Sequence, residues 1–339
     1  MFHPADLNNK FPHSGKKLSM ALGMLLVSGY AHSQTVSMDF SNEYNSTSIH
    51  AQGDAYFIDK LAELTDGDIS ITLHTGGSLG FNSSDHFYGV ADGVVEIADT
   101  LSGTMSGIDS LFLLSSLPFI VEDVEDARRL YEIARPHYED IFADNNQVLL
   151  YASPWPPSGI WSEDEITDQD DLENLKIRTF DRNGTETFRN VGASPVSLSW
   201  ADVVPQLATG GIEAVLTSAE AGANASFWEH QNYFAGVQYA IPLNMVHMNR
   251  DTFESLTEAQ QEAVMEAASM TDQHNWETVE TRTEENYKTL REHDVVISDP
   301  APDELLIPLN EAAGSVIESW LENTGDVGES ILAEFRGSQ

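Results

Sequence analysis

Arg178 is the residue whose setting first suggests chemistry. It sits in Asp-Leu-Glu-Asn-Leu-Lys-Ile-Arg-Thr-Phe-Asp, residues 171–181, at the end of a strand-like run and just before Phe180-Asp181. The chain carries 55 Asp and Glu against 16 Lys and Arg, so a cation placed on a strand calls for a reason. A guanidinium is a planar fork that matches a carboxylate through two parallel hydrogen bonds. In a poorly hydrated cleft that attraction is several times stronger than in open water. The alternative is a structural ion pair with one of the many acids, such as Asp181. Thr217, Ser218 and Glu220 follow the strand-like Ile-Glu-Ala-Val-Leu, and α/β lobes place ligand contacts at the carboxyl ends of strands. Trp155, Trp161, Trp200 and Trp228 fall near strand ends or a lobe junction, where they either wall a cleft or pack a core.

Other chemistries find no support. There is no phosphate-cradling P-loop, no dinucleotide glycine pattern and no nucleophile elbow. The Gly-Gly-Ser-Leu-Gly turn at 76–80 has the wrong spacing and no Lys after it. The 11 histidines never fall four apart, so no helical metal pair exists, and His50, His74, His86 and His247 read as supporting or surface groups. With acids this frequent, any pair of them resembles an acid/base couple, so pairing carries no information. No motif asks for a cofactor or a metal. The absence of cysteine removes disulfides and thiol chemistry together. A net charge of −39 argues against nucleic acid and against anionic membrane surfaces. It suits a salt-rich habitat that screens the repulsion, or a surface kept acidic for solubility. A small-molecule binder needs only a cleft, apolar walls and a few placed polar groups.

These residues need a scaffold. Lys16 and Lys17, an apolar stretch and small residues at Ala31 and Ser33 make residues 1–33 a secretory signal, which predicts an exported, periplasmic mature protein. From there, strand-like and helical patterns alternate, as in a mostly parallel α/β lobe. Pro-Trp-Pro-Pro-Ser-Gly-Ile-Trp-Ser, 154–162, reads as a rigid connection rather than a regular element. The pattern predicts lobe I over 34–156 with 246–285 returning to it, and lobe II over 157–245 with 286–339 packed on it. A helical stretch of about forty residues begins at Thr257, whose spacing to Gln260 makes a capping box. It lacks a persistent heptad, so a helix lying across both lobes is expected rather than a coiled coil.

With these residues assembled, the chain resembles the solute-binding proteins of tripartite ATP-independent periplasmic (TRAP) transporters, of the dicarboxylate/sialic-acid (DctP) type. The carrying segments are His-Thr-Gly-Gly-Ser-Leu-Gly, residues 171–181, and Asn-Val-Gly-Ala-Ser-Pro-Val-Ser-Leu-Ser-Trp through Gly-Gly-Ile-Glu-Ala-Val. The resemblance implies a two-lobed α/β binding protein with a ligand cleft between the lobes and a long helix spanning both. It implies that Arg178 grips a ligand carboxylate, that Trp200 is an aromatic wall, that Asp181 and Thr217 are polar contacts, and that Glu43–Asn45 is the N-terminal contact segment. A second basic residue common in the family is missing from 154–162, where Trp155 and Trp161 stand instead. That points to a compact monocarboxylate, with Asp181 and Glu220 available for hydroxyls or an amine. The implied activity is capture and delivery of an organic acid to small and large membrane subunits, by a monomer, with no bond made or broken. An exported hydrolase using two carboxylates, or a binding protein serving a sensor or another transporter, are the alternatives.

Overall fold

The computed structural model describes residues 35–337, and the predicted signal segment lies outside the described residues. Lobe I begins with strand β1 (Val36–Asn42), helix α1 (Ile49–Leu64), β2 (Ile69–His74), α2 (Ser83–Ala91), β3 (Ile97–Leu101), α3 (Val124–Asp144) and β4 (Gln147–Pro154). Lobe II follows with β5 (Ser158–Ser162), β6 (Ile177–Thr179), α4 (Arg182–Asn190), β7 (Val196–Ser197), α5 (Trp200–Thr209), β8 (Ala214–Ser218), α6 (Ala219–Asn224) and β9 (Tyr233–Ala235). The chain then returns through β10 (Leu243–Asn249), α7 (Arg250–Ser255), α8 (Glu258–Glu292), β11 (Val296–Ser298), α9 (Asp303–Thr324) and α10 (Asp326–Gly337).

Two sheets result, in the orders β2-β1-β3-β10-β4 and β11-β9-β5-β8-β6-β7. The βα repeats give parallel pairs, β1 with β2 and β3, and β6 with β7 and β8. The crossing strands break that pattern. β10 runs antiparallel to β3 and β4, and β5 runs antiparallel to β8 and β9. Each sheet is therefore mixed, because a strand arriving from the other lobe enters in reverse.

The long helix α8 starts where its capping box lies, with Thr257 accepting from the Gln260 amide and the Gln260 side chain accepting from the Thr257 amide. Its first half packs Val264, Ala267 and Ala268 against Phe40, Phe57 and Met248 of lobe I. Its last turns put Leu290 and Tyr287 against Val215 and Phe234 of lobe II. One rigid helix thus touches both lobes.

Two expectations need correction. Residues 158–162 are a strand, fully buried inside the lobe II sheet, and not an irregular connection. The three prolines that suggested a break all precede Ser158, and Gly159 lets the strand approach β9 closely. A Cβ at Gly159 would lie 2.5 Å from the Ala235 carbonyl oxygen and 2.4 Å from the Phe234 ring. Gly159→Ala should therefore cost about 2–3 kcal/mol through forced overpacking, seen as a lower urea midpoint at unchanged slope. An unchanged midpoint would mean that the sheet opens freely here. The second correction concerns the C-terminus. Leu305 and Leu309 of α9 do pack in lobe II. Trp320, Ile331, Leu332 and Phe335 instead join Tyr138 and Phe142 in the core of lobe I, and the Trp320 indole donates to the Ser110 carbonyl at 2.8 Å. The apolar face of α9 and α10 is simply longer than lobe II.

Candidate functional site

Arg178 lies in the middle of β6, with β7 on one side and β8 on the other. It is 4% exposed. Its Nε and Nη2 both donate to the Leu198 carbonyl, at 3.1 and 3.0 Å. Those bonds orient the guanidinium and use two of its five N–H groups. The remaining edge faces a cavity. No carboxylate lies within ion-pair distance of Arg178 among the described residues. Burial lowers its pKa to about 10, while Tyr44, Glu43 and Asp181 act in the opposite sense, so it stays a cation at neutral pH. Trp200, the first residue of α5, sits with its ring 5.9 Å from the guanidinium carbon. A buried cation without a counter-ion is costly unless something supplies an anion.

The cavity, about 50 Å³, is lined by both lobes. Lobe II supplies Arg178, Phe180, Leu198, Trp200, Thr217 and Ser158. Lobe I supplies Glu43 and Tyr44, just past β1, together with Trp155 from the end of β4 and the start of α2. Tyr44 meets Trp155 edge-on at 5.0 Å and faces Trp200 across the gap at 6.2 Å. The Trp155 indole donates to Asn244 Oδ1 at 2.8 Å, which sets the ring's angle. Ser83 Oγ donates to the Glu43 carboxylate. Burial raises the Glu43 pKa and the Ser83 bonds pull it back. The cavity thus offers a fixed cation on one wall, an acceptor carboxyl on the other, and aromatic rings between them.

Of the nine residues singled out in the sequence, Arg178, Trp200, Thr217, Trp155 and Glu43 line this cavity. The other four do not. Trp161 is wholly buried between Phe227 and Phe234, its indole donating to the Ser218 carbonyl. Strand alternation decides this, since Ser158 faces the cavity and Trp161 has the opposite parity on β5. Asp181 caps α4, accepting from the Gly184 amide at 3.0 Å. Its other oxygen is buried without a partner, and burial pushes its pKa up to about 6. Glu220 is tied to Arg282 at 2.8 Å. Asn45 holds the turn at Thr47 and reaches the Asn224 carbonyl at 3.0 Å. Tyr44, inside the contact segment Glu43–Asn45, also lines the cavity, whereas sequence reasoning missed Ser83, Phe180 and Ser158 as contacts. The signal for Ser83 was present, since Asn82-Ser83-Ser84 after a glycine-rich turn is a helix start, and the Asn82–Asp85 capping box confirms it.

A cation-bearing cleft lined by both lobes of a two-lobed α/β protein is the architecture of a solute receptor. The chain belongs to the family described as bacterial extracellular solute-binding protein, family 7 (DctP), whose model matches residues 40–323. It is 25% identical over 284 residues to the ectoine-binding periplasmic protein TeaA of Halomonas elongata, covering 79% of this chain and 80% of that one. Its fold is similar to Bordetella pertussis DctP7, an extracytoplasmic solute receptor binding pyroglutamic acid, with a TM-score of 0.86, 26% identity, and 89% and 99% of the two chains covered. A marine-metagenome TRAP solute-binding protein specific for pyroglutamate gives a TM-score of 0.85 at 26% identity, with 90% and 99% covered.

Proposed function

We propose that this protein is the periplasmic receptor of a TRAP transporter and that its ligand is a compact monocarboxylate carrying a hydrogen-bond donor. The observation that carries this reading is Arg178, buried in the cavity wall with no carboxylate within ion-pair distance among the described residues. Among the described residues it is the only Lys or Arg lining the cavity, which favours one carboxylate over two. Glu43 on the opposite wall accepts an N–H or O–H from the ligand body, and Tyr44, Trp155 and Trp200 enclose that body. Pyroglutamate, a five-membered lactam with one carboxylate, has this layout. The ligands of TeaA, DctP7 and the marine-metagenome protein, ectoine and pyroglutamate, are both small rings with one carboxylate, which supports the reading. Closure buries the ligand, and the closed form is what small and large membrane subunits receive.

A thermal-shift screen of the mature protein in about 1–2 M salt, with L-pyroglutamate, ectoine, sugar acids and amines, tests the reading. A ligand at 100 times its Kd should add about 2.7 kcal/mol of stability. A carboxylate hit confirmed by calorimetry is the expected outcome. Hits confined to amines without a carboxylate would overturn the proposed ligand class.

A further inference from the structure

Next to the ligand cavity the lobes are joined by a second set of polar contacts. Glu220, in the first turn of α6, has a side chain with no solvent exposure. Its Oε2 accepts from Arg282 Nε at 2.8 Å. Its Oε1 accepts from Arg282 Nη2 at 3.2 Å, from Asn224 Nδ2 at 2.6 Å, and from the Ile49 amide at 2.9 Å. Ile49 is the first residue of α1 in lobe I, so its N–H has no acceptor within its own helix. The carboxylate from lobe II therefore satisfies a helix-end donor of lobe I, where the helix dipole favours negative charge. Arg282, on the helix that touches both lobes, continues across with Nη2 donating to the Thr47 carbonyl at 2.6 Å and Nη1 to Gln52 Oε1 at 3.4 Å. Asn224 closes the set, accepting from Thr47 Oγ1 at 2.7 Å and from Asn45 Nδ2 at 3.0 Å. None of these side chains lines the cavity. Their neighbours in sequence do, Glu43 and Tyr44 on one side, Thr217 and Ser218 on the other.

We propose that Glu220 and Arg282 form an interlobe clasp that holds the receptor closed and so sets ligand residence without touching the ligand. The proposal rests on reading the protein as a receptor that opens and closes. The groups are built for such a role. Separating the lobes would strip the Ile49 amide and the Thr47 carbonyl of their partners, and would open the buried Glu220–Arg282 pair to water. Arg282 still lies 19% exposed at its rim, so water can re-solvate the pair as it parts. The clasp is therefore reversible, where a fully dry pair would tend to lock.

The chain has no cysteine, so an engineered pair reports closure directly. Asn45→Cys with Asn224→Cys puts thiols where the two lobes already touch, removes the Asn224 side-chain bonds equally in every background, and leaves the Glu220 bonds to Arg282 and Ile49 in place. The rate of disulfide formation under a fixed oxidant therefore reads the closed population even when it is small. In the ligand-free protein the cross-link should form, and adding Glu220→Ala should slow it about tenfold, at unchanged far-UV circular dichroism. Glu220→Gln keeps an acceptor for Ile49 but leaves Arg282 without its charge partner, so it should give a smaller slowing. Equal rates in all backgrounds, or no cross-link at all, would overturn the clasp. So would slowing that tracks lost secondary structure in both variants, which would make Glu220 a folding residue. If the cross-link results hold while no acid in the screen stabilises the protein, the carboxylate-receptor reading falls and the clasp stands.

Discussion

Arg178→Ala should weaken binding of the carboxylate ligand by roughly a hundred- to a thousandfold. A hydrogen bond to a charged group contributes about 1.5–3 kcal/mol, and truncating one side of a buried charge pair costs about 2–5 kcal/mol, because the other charge is left unpaired. Each 1.4 kcal/mol is about tenfold. Here both conditions hold, since the guanidinium is buried and anchored at Leu198, and no protein acid is in place to take over. The free protein should lose little, because the substitution also removes a buried cation with no direct ion pair, whose pKa burial has lowered to about 10. Arg178→Lys should fall between, keeping charge but losing both the planar fork and the paired hydrogen bonds to the Leu198 carbonyl. Titration calorimetry with the hit from the screen decides the matter. A loss below tenfold would show that the carboxylate is held elsewhere.

The second large effect is on stability and its pH dependence. Asp54 of α1 and Asp99 of β3 are both fully buried and are bridged by the Asn42 amide. Asn42 donates to Asp54 at 2.6 Å and to Asp99 at 3.3 Å. Tyr151 donates to Asp54 at 2.9 Å, and Asn244 to Asp99 at 2.6 Å. Burial raises both pKa values, Asp99 to about 7. A carboxyl with a raised folded pKa binds more protons folded than unfolded. Its stabilisation is complete below the unfolded pKa near 4 and is lost as pH rises through about 7. Buried histidines act oppositely. His50 and His86 are lowered by burial to about 3 and about 4, so they oppose folding as pH falls below about 6.5. Between pH 4 and 6.5 the two effects offset, and above 6.5 only the carboxyl loss remains. Asp99→Asn keeps the shape, donates to Asp54 and needs no proton. Its margin in melting temperature over the parent should grow between pH 5 and pH 8, by the equivalent of about 2–3 kcal/mol. The same difference at both pH values would mean that the pair does not titrate in this range.

Several features of the fold follow from short stretches of chain. The capping box at Thr257, the alternation of strand and helix, and the placement of Arg178 on a strand depend on neighbours within a few residues, and sequence displays those directly. The same is true of Trp200 at a helix start, and of the acidic composition that sets the charge at −39. Asp181 shows a local signal that was overlooked, since an Asp immediately before a helix is a cap before it is a ligand contact.

What only the tertiary structure decided is which of many equivalent groups meet. Trp155 and Trp161 stand six residues apart in the same proline-rich stretch, yet one walls the cavity and the other fills the core. The difference is that 158–162 became a strand, whose alternation sends Trp161 away from the ligand. Glu220 is one of 55 acids, and nothing near it in sequence says that its partners would be Arg282, 62 residues later, and the amide of Ile49, 171 residues earlier. The same holds for Asp54 and Asp99, which become a pair only because α1 packs over the sheet that contains β3. Local propensity acts over a few residues and can be read along the chain. Charge pairing, burial and the closing of one lobe on another are settled by distance in space.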